Sequence, residues 1–467
     1  MFFYQGHVKQ QRKYNGHKTT LMTETKNPDA LSNHQSSRHT DSNTKNDYSS
    51  AATKYYALGL LTIVYSFNFI DRQLLSILQE SIKEELLLSD SQLGLLTGFA
   101  FAVFYVTAGI PIARLADRSN RRNIIAFSVG LWSLMTALSG LVQNYAQLLI
   151  ARIGVGIGEA GGSPPSHSII SDIFPVESQA SAISFYSTGV NIGILFGFLL
   201  GGWLNEFFGW RTAFFVVGAP GIIIAIIVRF TLAEPTRGLS ENKQVTQDAV
   251  PFKDVLLVLW HSISFRHLAL GAALNAFASY STSNWTASFF IRTHDMTTGE
   301  LGTWLALIIG LGGAIGVLGG GLIADRLGRK DKRWYAWIPA IAGFVSVPFM
   351  IGVYTTENAY IALMCAVVPG VMFNVYLGNT IATTHGLVGL RMRATASAIL
   401  FLILNMIGLG IGPWAVGILS DSLATSLGVD SLRYAMLYII PPMMFWSACH
   451  FFRAARTLRE DLAAAPD

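Results

Sequence analysis

Charge is what this sequence has least of. Only 13% of its 467 residues are Asp, Glu, Lys or Arg, against about 25% in an average soluble chain. That scarcity argues against two or three soluble domains, which the length alone would allow. Cysteine is scarce too. Cys365 and Cys449 lie in separate apolar runs, so packing residues are expected rather than a disulfide framework. There is no Walker loop, no His-Glu-x-x-His, no Cys-x-x-Cys and no nucleophile elbow. The common nucleotide, zinc and serine-hydrolase chemistries therefore have no foothold, and neither an enzyme, a cofactor nor a metal site is expected. Residues 1–53 are polar and lack the apolar core of a cleavable signal peptide. Their histidines (His7, His17, His34, His39) are too scattered for a metal site. This stretch is expected to be a disordered tail.

Apolar residues are what the chain has instead. They make up 51% of it, and the mean hydropathy is +0.43. The charge is confined to short clusters between apolar runs, as in a polytopic membrane protein. The formal charge of +5 reflects basic loops and the tail, so no nucleic-acid partner is expected. Twelve runs follow the tail, near 55–80, 93–114, 123–142, 146–173, 179–205, 212–232, 267–291, 301–324, 334–355, 358–384, 394–420 and 434–453. Each can cross a hydrocarbon core of about 30 Å as a helix. The expected architecture is all-α, with two six-helix bundles at 54–232 and 267–453. A linker at 233–266 joins them, with a short amphipathic helix at 252–260, and a tail occupies 454–467.

Lysine and arginine orient the chain. The 114–122 loop carries Arg114, Arg118, Arg121 and Arg122, and the 325–333 loop carries Arg326, Arg329, Lys330, Lys332 and Arg333. The 79–92 loop has only Lys83 among Glu80, Glu84, Glu85 and Asp90. Basic loops face the cytoplasm, which places both termini there as well. Trp203, Trp210, Trp334 and Trp446 fall near run ends, as interfacial anchors do.

The halves repeat one another. Ala113–Arg122 reads Ala-Arg-Leu-Ala-Asp-Arg-Ser-Asn-Arg-Arg, and Gly321–Lys330 reads Gly-Leu-Ile-Ala-Asp-Arg-Leu-Gly-Arg-Lys, with Asp325 in the place of Asp117. Leu93-Gly94 recurs as Leu301-Gly302, and Ala180–Ile183 as Ala396–Ile399. Internal repeats of this kind build many secondary transporters. Asp117 with Arg118, and Asp325 with Arg326, are candidates for a cytoplasmic gate. Gly154, Gly156 and Gly158 loosely match a nucleotide loop, but no strand precedes them, so close helix packing is expected. Gly189, Gly193, Gly197 and Gly201 read the same way, as do Gly312, Gly316 and Gly320. Ser163-Pro164-Pro165 should loosen the fourth helix.

Four ionisable residues fall inside the apolar runs, all in the first half: Asp71, Arg72, Arg152 and Glu159. A charge at depth costs several kcal/mol unless paired or hydrated, which marks each as a functional candidate. A buried ion-pair cluster that only locks the first helix to the fourth is the bland reading. Counting about 1.5 Å per residue puts Arg152 roughly 9 Å and Glu159 roughly 20 Å into the fourth helix. Asp71 then lies nearer the level of Arg152. Asp71 and Arg72 point about 100° apart, so one should face the fourth helix and the other the cavity. The two carboxylates are candidate proton carriers, and the arginines their partners or an anion contact. The second half offers neutral hydrogen-bonding groups instead. Tyr280, Asn284, Trp285, Asn374, Tyr376 and Thr380 are its candidates for substrate contact, and half of such residues serve helix packing.

The loop motif and its copy resemble the loop signature of the major facilitator superfamily, Gly-x-x-x-Asp-(Arg/Lys)-x-Gly-(Arg/Lys)-(Arg/Lys). The first copy departs from it at Ala113 and Asn120. Asp-Arg-x-Asn-Arg is a habit of the spinster-like branch, and two further stretches resemble that branch: Asn68-Phe-Ile-Asp71-Arg72, and Arg152 through Glu159-Ala160. The resemblance implies twelve transmembrane helices in two pseudo-symmetric bundles working by alternating access. It implies a lysophospholipid- or sphingoid-phosphate-like substrate moved with protons, and proton sites at Asp71 and Glu159. An amphiphilic anion, protons and the bilayer of a bacterial inner membrane are the expected partners of a monomer. Alternatives are a transporter of small organic anions, sugar acids or drugs, and a receptor or sensor that transports nothing.

Overall fold

The computed structural model describes residues 48, 50–238 and 250–466. Nearly all of the expected N-terminal tail and the middle of the linker lie outside them. The described chain is helical throughout, without strands. Six runs are long and apolar enough to cross a bilayer, and a seventh is a bent pair. Two of the six hold two passes each. Val176–Thr231 would be roughly 80 Å long as one helix, but Gly209 breaks it at φ 79° and ψ 161°. That backbone is left-handed and suits glycine. Arg393–Ala463 reverses at Gly428, φ 55°. Ala51–Leu86, Arg121–Ser139 and 145–173 complete twelve passes.

The helices overrun the apolar runs. The first pass starts at Ala51, capped by the Ser50 hydroxyl, which accepts from the Thr53 amide at 3.2 Å. The twelfth pass continues to Ala463, so most of the tail expected at 454–467 is helix. At 33 residues it is roughly 50 Å long, well beyond a hydrocarbon core of about 30 Å. The seventh pass begins at Ile263, after a 94° bend from the linker helix Phe252–His261. Hydropathy marks where lipid tails lie, and a helix need not end there.

Small residues set the packing. A β-carbon at Gly189 would lie 2.8 Å from the Thr62 carbonyl oxygen, and one at Gly197 3.0 Å from that of Ile70. The fifth pass thus lies against the first through its glycine face. Gly158 backs onto Trp132 of the third pass in the same way. The fourth pass stops at Glu159 and restarts at Ser163, with proline in its first turn.

Gly94 and Gly302, the repeated pair, do matching jobs in the two halves. A β-carbon on Gly94 would sit 2.6 Å from the Pro413 carbonyl oxygen, and one on Gly302 2.5 Å from that of Phe198. The second pass therefore meets the eleventh, and the eighth meets the fifth, at backbone contact. Each repeat is followed by a turn of π-helix, at Leu95–Phe99 and Ala306–Leu311. Such turns often mark functional positions within a helix.

Candidate functional site

The two bundles are joined tightly at one end, the end of the 79–92 loop. Arg292 of the seventh pass donates to Glu80 at 2.8 Å and grips both oxygens of Asp90 at 2.8 Å. Lys83 and Ser420 also donate to Asp90, each at 2.6 Å. Asp421 accepts from the backbone amides of Asp90 and Ser91 at 2.9 and 2.8 Å. Deeper in, Gln79 donates to the Asn284 carbonyl and the Ser288 hydroxyl, both at 2.9 Å. A bidentate arginine–carboxylate pair bridging two bundles is strong and geometrically specific.

The opposite, basic end is not joined in this way. Asp117, Arg118, Asp325 and Arg326 are exposed. Among the described residues, Asp117, Arg118 and Arg326 have no hydrogen-bond or ion-pair partner. Asp325 accepts only from Tyr335 of its own bundle, at 2.9 Å. Of the four arginines in the first loop, Arg121 turns inward. It pairs with Asp172, donates to Glu234 at 2.8 Å and reaches the Pro235 carbonyl at 2.9 Å. This fastens the start of the linker to the first bundle.

Between the ends lies the charged cluster. Arg72 donates through Nε to Glu159 at 2.7 Å, tying the first pass to the fourth. Its guanidinium stands 4.9 Å from the ring centres of Phe69 and Phe101 and 5.1 Å from that of Tyr105. Arg152 lies 5.5 Å from the Phe101 ring centre, so both arginines contact the same aromatic ring. Cation–π contact is worth most where water is excluded. Asp71 is fully buried and accepts from the Thr136 hydroxyl of the third pass, and Arg152 of the fourth pass is the charge that acts on it most strongly. Among the described residues, no hydrogen-bond partner reaches buried Asp71 Oδ1, Glu159 Oε1 or Arg152 Nε.

A cavity opens beside it, lined by Arg72, Arg152, Phe101, Gln73, Tyr280 and Asn284 among others. A second lies in the other bundle. Ser279, Thr282, Ile308, Met350, Phe373 and Asn374 help line it. Ser283 lines both, and its hydroxyl donates to Gln73 at 3.2 Å.

Three second-half candidates line neither cavity. Trp285 is fully buried, with its indole N–H given to the Pro413 carbonyl at 2.8 Å. Thr380 donates to the Tyr376 carbonyl one turn back at 2.8 Å. Tyr376 packs among Phe265, Leu400 and Phe451. The Trp285 indole and the Thr380 hydroxyl thus serve the helices. Conversely, Phe69, Gln73 and Ser76 reach the charged cavity and were not singled out. They share one helix face with Arg72 by their spacing of three and four, a signal the sequence did carry.

Two six-helix bundles around a polar interior, with internally repeated loops, define a membrane transporter rather than an enzyme. The sequence profile of the Major Facilitator Superfamily matches residues 61–413, and the chain belongs to that family. A crystal structure of a bacterial homologue of the human lysosomal transporter spinster, in an inward-facing and unoccupied conformation, shares 32% identity and a TM-score of 0.79. The match covers 88% of this chain and 99% of that one. An MFS-type efflux pump of Mycolicibacterium smegmatis is 33% identical over 87% of this chain and 94% of its own length. A probable galactarate/D-glucarate transporter of Bacillus subtilis is 26% identical over 74% of this chain and 87% of its own. Within the superfamily the chain is thus spinster-like.

Proposed function

We propose that this transporter moves an amphiphilic anion of lysophospholipid or sphingoid-phosphate type by alternating access, coupled to protons. The observation that carries the reading is the meeting of two unlike cavities at Ser283. One holds Arg72 and Arg152, and the other is walled by aliphatic and aromatic side chains with neutral hydroxyls. An anionic headgroup suits the first and an acyl or sphingoid chain the second. Arg72 is the better headgroup contact, because its side chain keeps 15% exposure and only its Nε is committed to Glu159.

Asp71 and Glu159 are the proposed proton carriers. Each has one buried oxygen without a partner, and arginine stays protonated and cannot take the role. Protonation of Glu159 would loosen Arg72 for the substrate, so one contact links proton and ligand. The basic end is cytoplasmic by the positive-inside rule, with the linker and both termini on that side of a bacterial inner membrane. Closure at the acidic end with open Asp117 and Asp325 then corresponds to an inward-facing state.

A second reading, a small organic or sugar acid, is favoured by the Bacillus relative and needs only the charged cavity. The deciding experiment is a thermal-shift competition on purified protein. A lysolipid or sphingoid phosphate should stabilise it, and glucarate should not displace that ligand. Stabilisation by glucarate with no response to lysolipids would favour the small acid. Flux into proteoliposomes separates transport from mere sensing.

A further inference from the structure

We infer that the basic end of the second bundle carries a built site for the phosphate of an anionic phospholipid, separate from the transport cavity. It lies where the seventh and twelfth passes meet, beside the linker helix. His267 and His450 face each other there with Nδ1 atoms 2.8 Å apart. Arg266 lies 5.9 Å from the Trp260 ring centre, and the Trp446 ring lies 5.8 Å from that of His450, tilted by 42°. Arg453 follows His450 by three residues on the same helical face.

The charge is uncompensated. Among the described residues, none of Arg266, Arg453 and Arg456 has a carboxylate partner, although eight other basic side chains do: Arg72, Lys83, Arg121, Arg211, Arg292, Arg333, Arg433 and Arg459. The nearby acid Asp461 is occupied by the Ser262 hydroxyl and the Ser264 amide, at 2.8 and 2.7 Å. Arg453 and Arg266 are the charges that act on His267, and no carboxylate among the described residues pairs with either arginine.

The linker helix identifies the source of the anion. After the 94° bend it runs across the seventh pass rather than along it. Its Val255 and Leu259 are buried against the bundle, while Phe252, Leu256 and Trp260 form an exposed apolar stripe with spacing of four. Lys253, Asp254 and His261 lie on the remaining face, together with exposed Leu257. One side toward protein, one apolar and one polar is the pattern of a helix lying in the membrane interface. Trp260 and Trp446, 65% and 50% exposed, flank the arginines as interfacial tryptophans do. At that depth the abundant anion is a lipid phosphate, which Arg266 and Arg453 can hold by paired donors. The chemistry is a phosphodiester on an anionic lipid of the adjoining leaflet, and neither transport nor the cavity charges enter the argument.

The test is native mass spectrometry of the full chain released from detergent supplemented with phosphatidylglycerol or phosphatidylcholine. Retained phosphatidylglycerol should exceed phosphatidylcholine. It should fall about fivefold for each of Arg266→Gln and Arg453→Gln, the worth of one basic residue at a charged membrane surface. Arg391→Gln removes an exposed arginine outside the cluster and should change nothing. Arg266→Lys, kept as a variant that preserves charge and fold, should retain part of the binding. Equal loss in Arg391→Gln, or unchanged retention in both cluster variants, overturns the site. Displacement by millimolar inorganic phosphate would assign the cluster to a soluble anion and overturn the lipid.

Discussion

The two halves of this molecule share a backbone plan and divide the chemistry. Both carry the acidic–basic loop, and both place a Leu-Gly pair before a π-helical turn at the bundle contact. Yet all four charged residues within the apolar runs lie in the first half, two of them lining the cavity, and the second contributes hydroxyls, amides and apolar walls. The difference is instructive because the two features have different causes. Rocking one bundle against the other needs matched contact surfaces, so the glycines at 94 and 302 repeat. Charge at depth is expensive, and a single cavity needs it only once. Symmetry governs the hinge surfaces, and asymmetry governs the site.

The hardest blow to that division is neutralising its carboxylates. Asp71→Asn and Glu159→Gln should each lower pH-gradient-driven uptake into proteoliposomes by about tenfold or more, the range of one charged hydrogen bond. Ligand binding at fixed pH should survive. Full gradient-driven transport in the double variant would move the proton elsewhere.

Next in size is the anion contact. Arg72→Ala should weaken binding of an anionic ligand by about ten- to a hundredfold, and Arg72→Lys by less, because lysine keeps the charge and loses the fork. A neutral amphiphile should bind both variants alike. If Arg72→Ala binds the anion as wild type does, the arginine is only a tie between the first and fourth helices.

The ends of the molecule allow a milder test. Asp90→Asn and Arg292→Gln remove the main inter-bundle lock, so a cysteine at Ser283 should react several-fold faster with an impermeant maleimide added from the acidic-loop side. Asp117→Asn and Asp325→Asn should instead raise labelling from the basic side, since their contacts would hold only the opposite state. Equal labelling from both sides in every variant would deny the gate a two-state character.

Much of this was legible in advance, and physics explains what was not. A twenty-residue apolar run has few alternatives to a membrane helix, so the passes could be read directly. An interior charge carries its cost openly, which exposed Asp71, Arg72, Arg152 and Glu159. Neutral residues carry no such mark. Trp285 and Asn284 are neighbours of similar promise, but one faces Pro413 and the other the cavity, and only packing decides. The lock was hidden for another reason: Asp90 and Arg292 are 202 residues apart, and in the sequence Asp90 is one acid among several in a loop. That Thr136 of the third helix also reaches Asp71 depended on where that helix stands, which helical periodicity alone does not give.

The smallest expected effect lies outside the membrane, where the second half again has something the first lacks. Asp331, in the loop after the second copy of the motif, accepts from Arg459 at 2.7 Å and from the backbone and side chain of Arg333 at 3.0 and 2.9 Å. Desolvation works against its charged form, but those donors win and hold its carboxyl down at about 2, below the usual 3.8. A carboxylate with a depressed folded value stabilises the fold above its unfolded value and loses that contribution as pH falls. The bond fastening the overrunning end of the twelfth helix should therefore contribute fully above about pH 4, weaken through about pH 2 and be gone about a unit below that. Because the Arg459 side chain is 60% exposed, salt and solvent screen the pair, and it should be worth about 1 kcal/mol or less. Asp331→Asn should melt slightly below wild type at pH 7, and the gap should close as the pH falls through about 2 and shrink in high salt. The readout is a melting curve in detergent at each pH. A gap that widens on acidification would mean that Asp331 acts through something other than its charge.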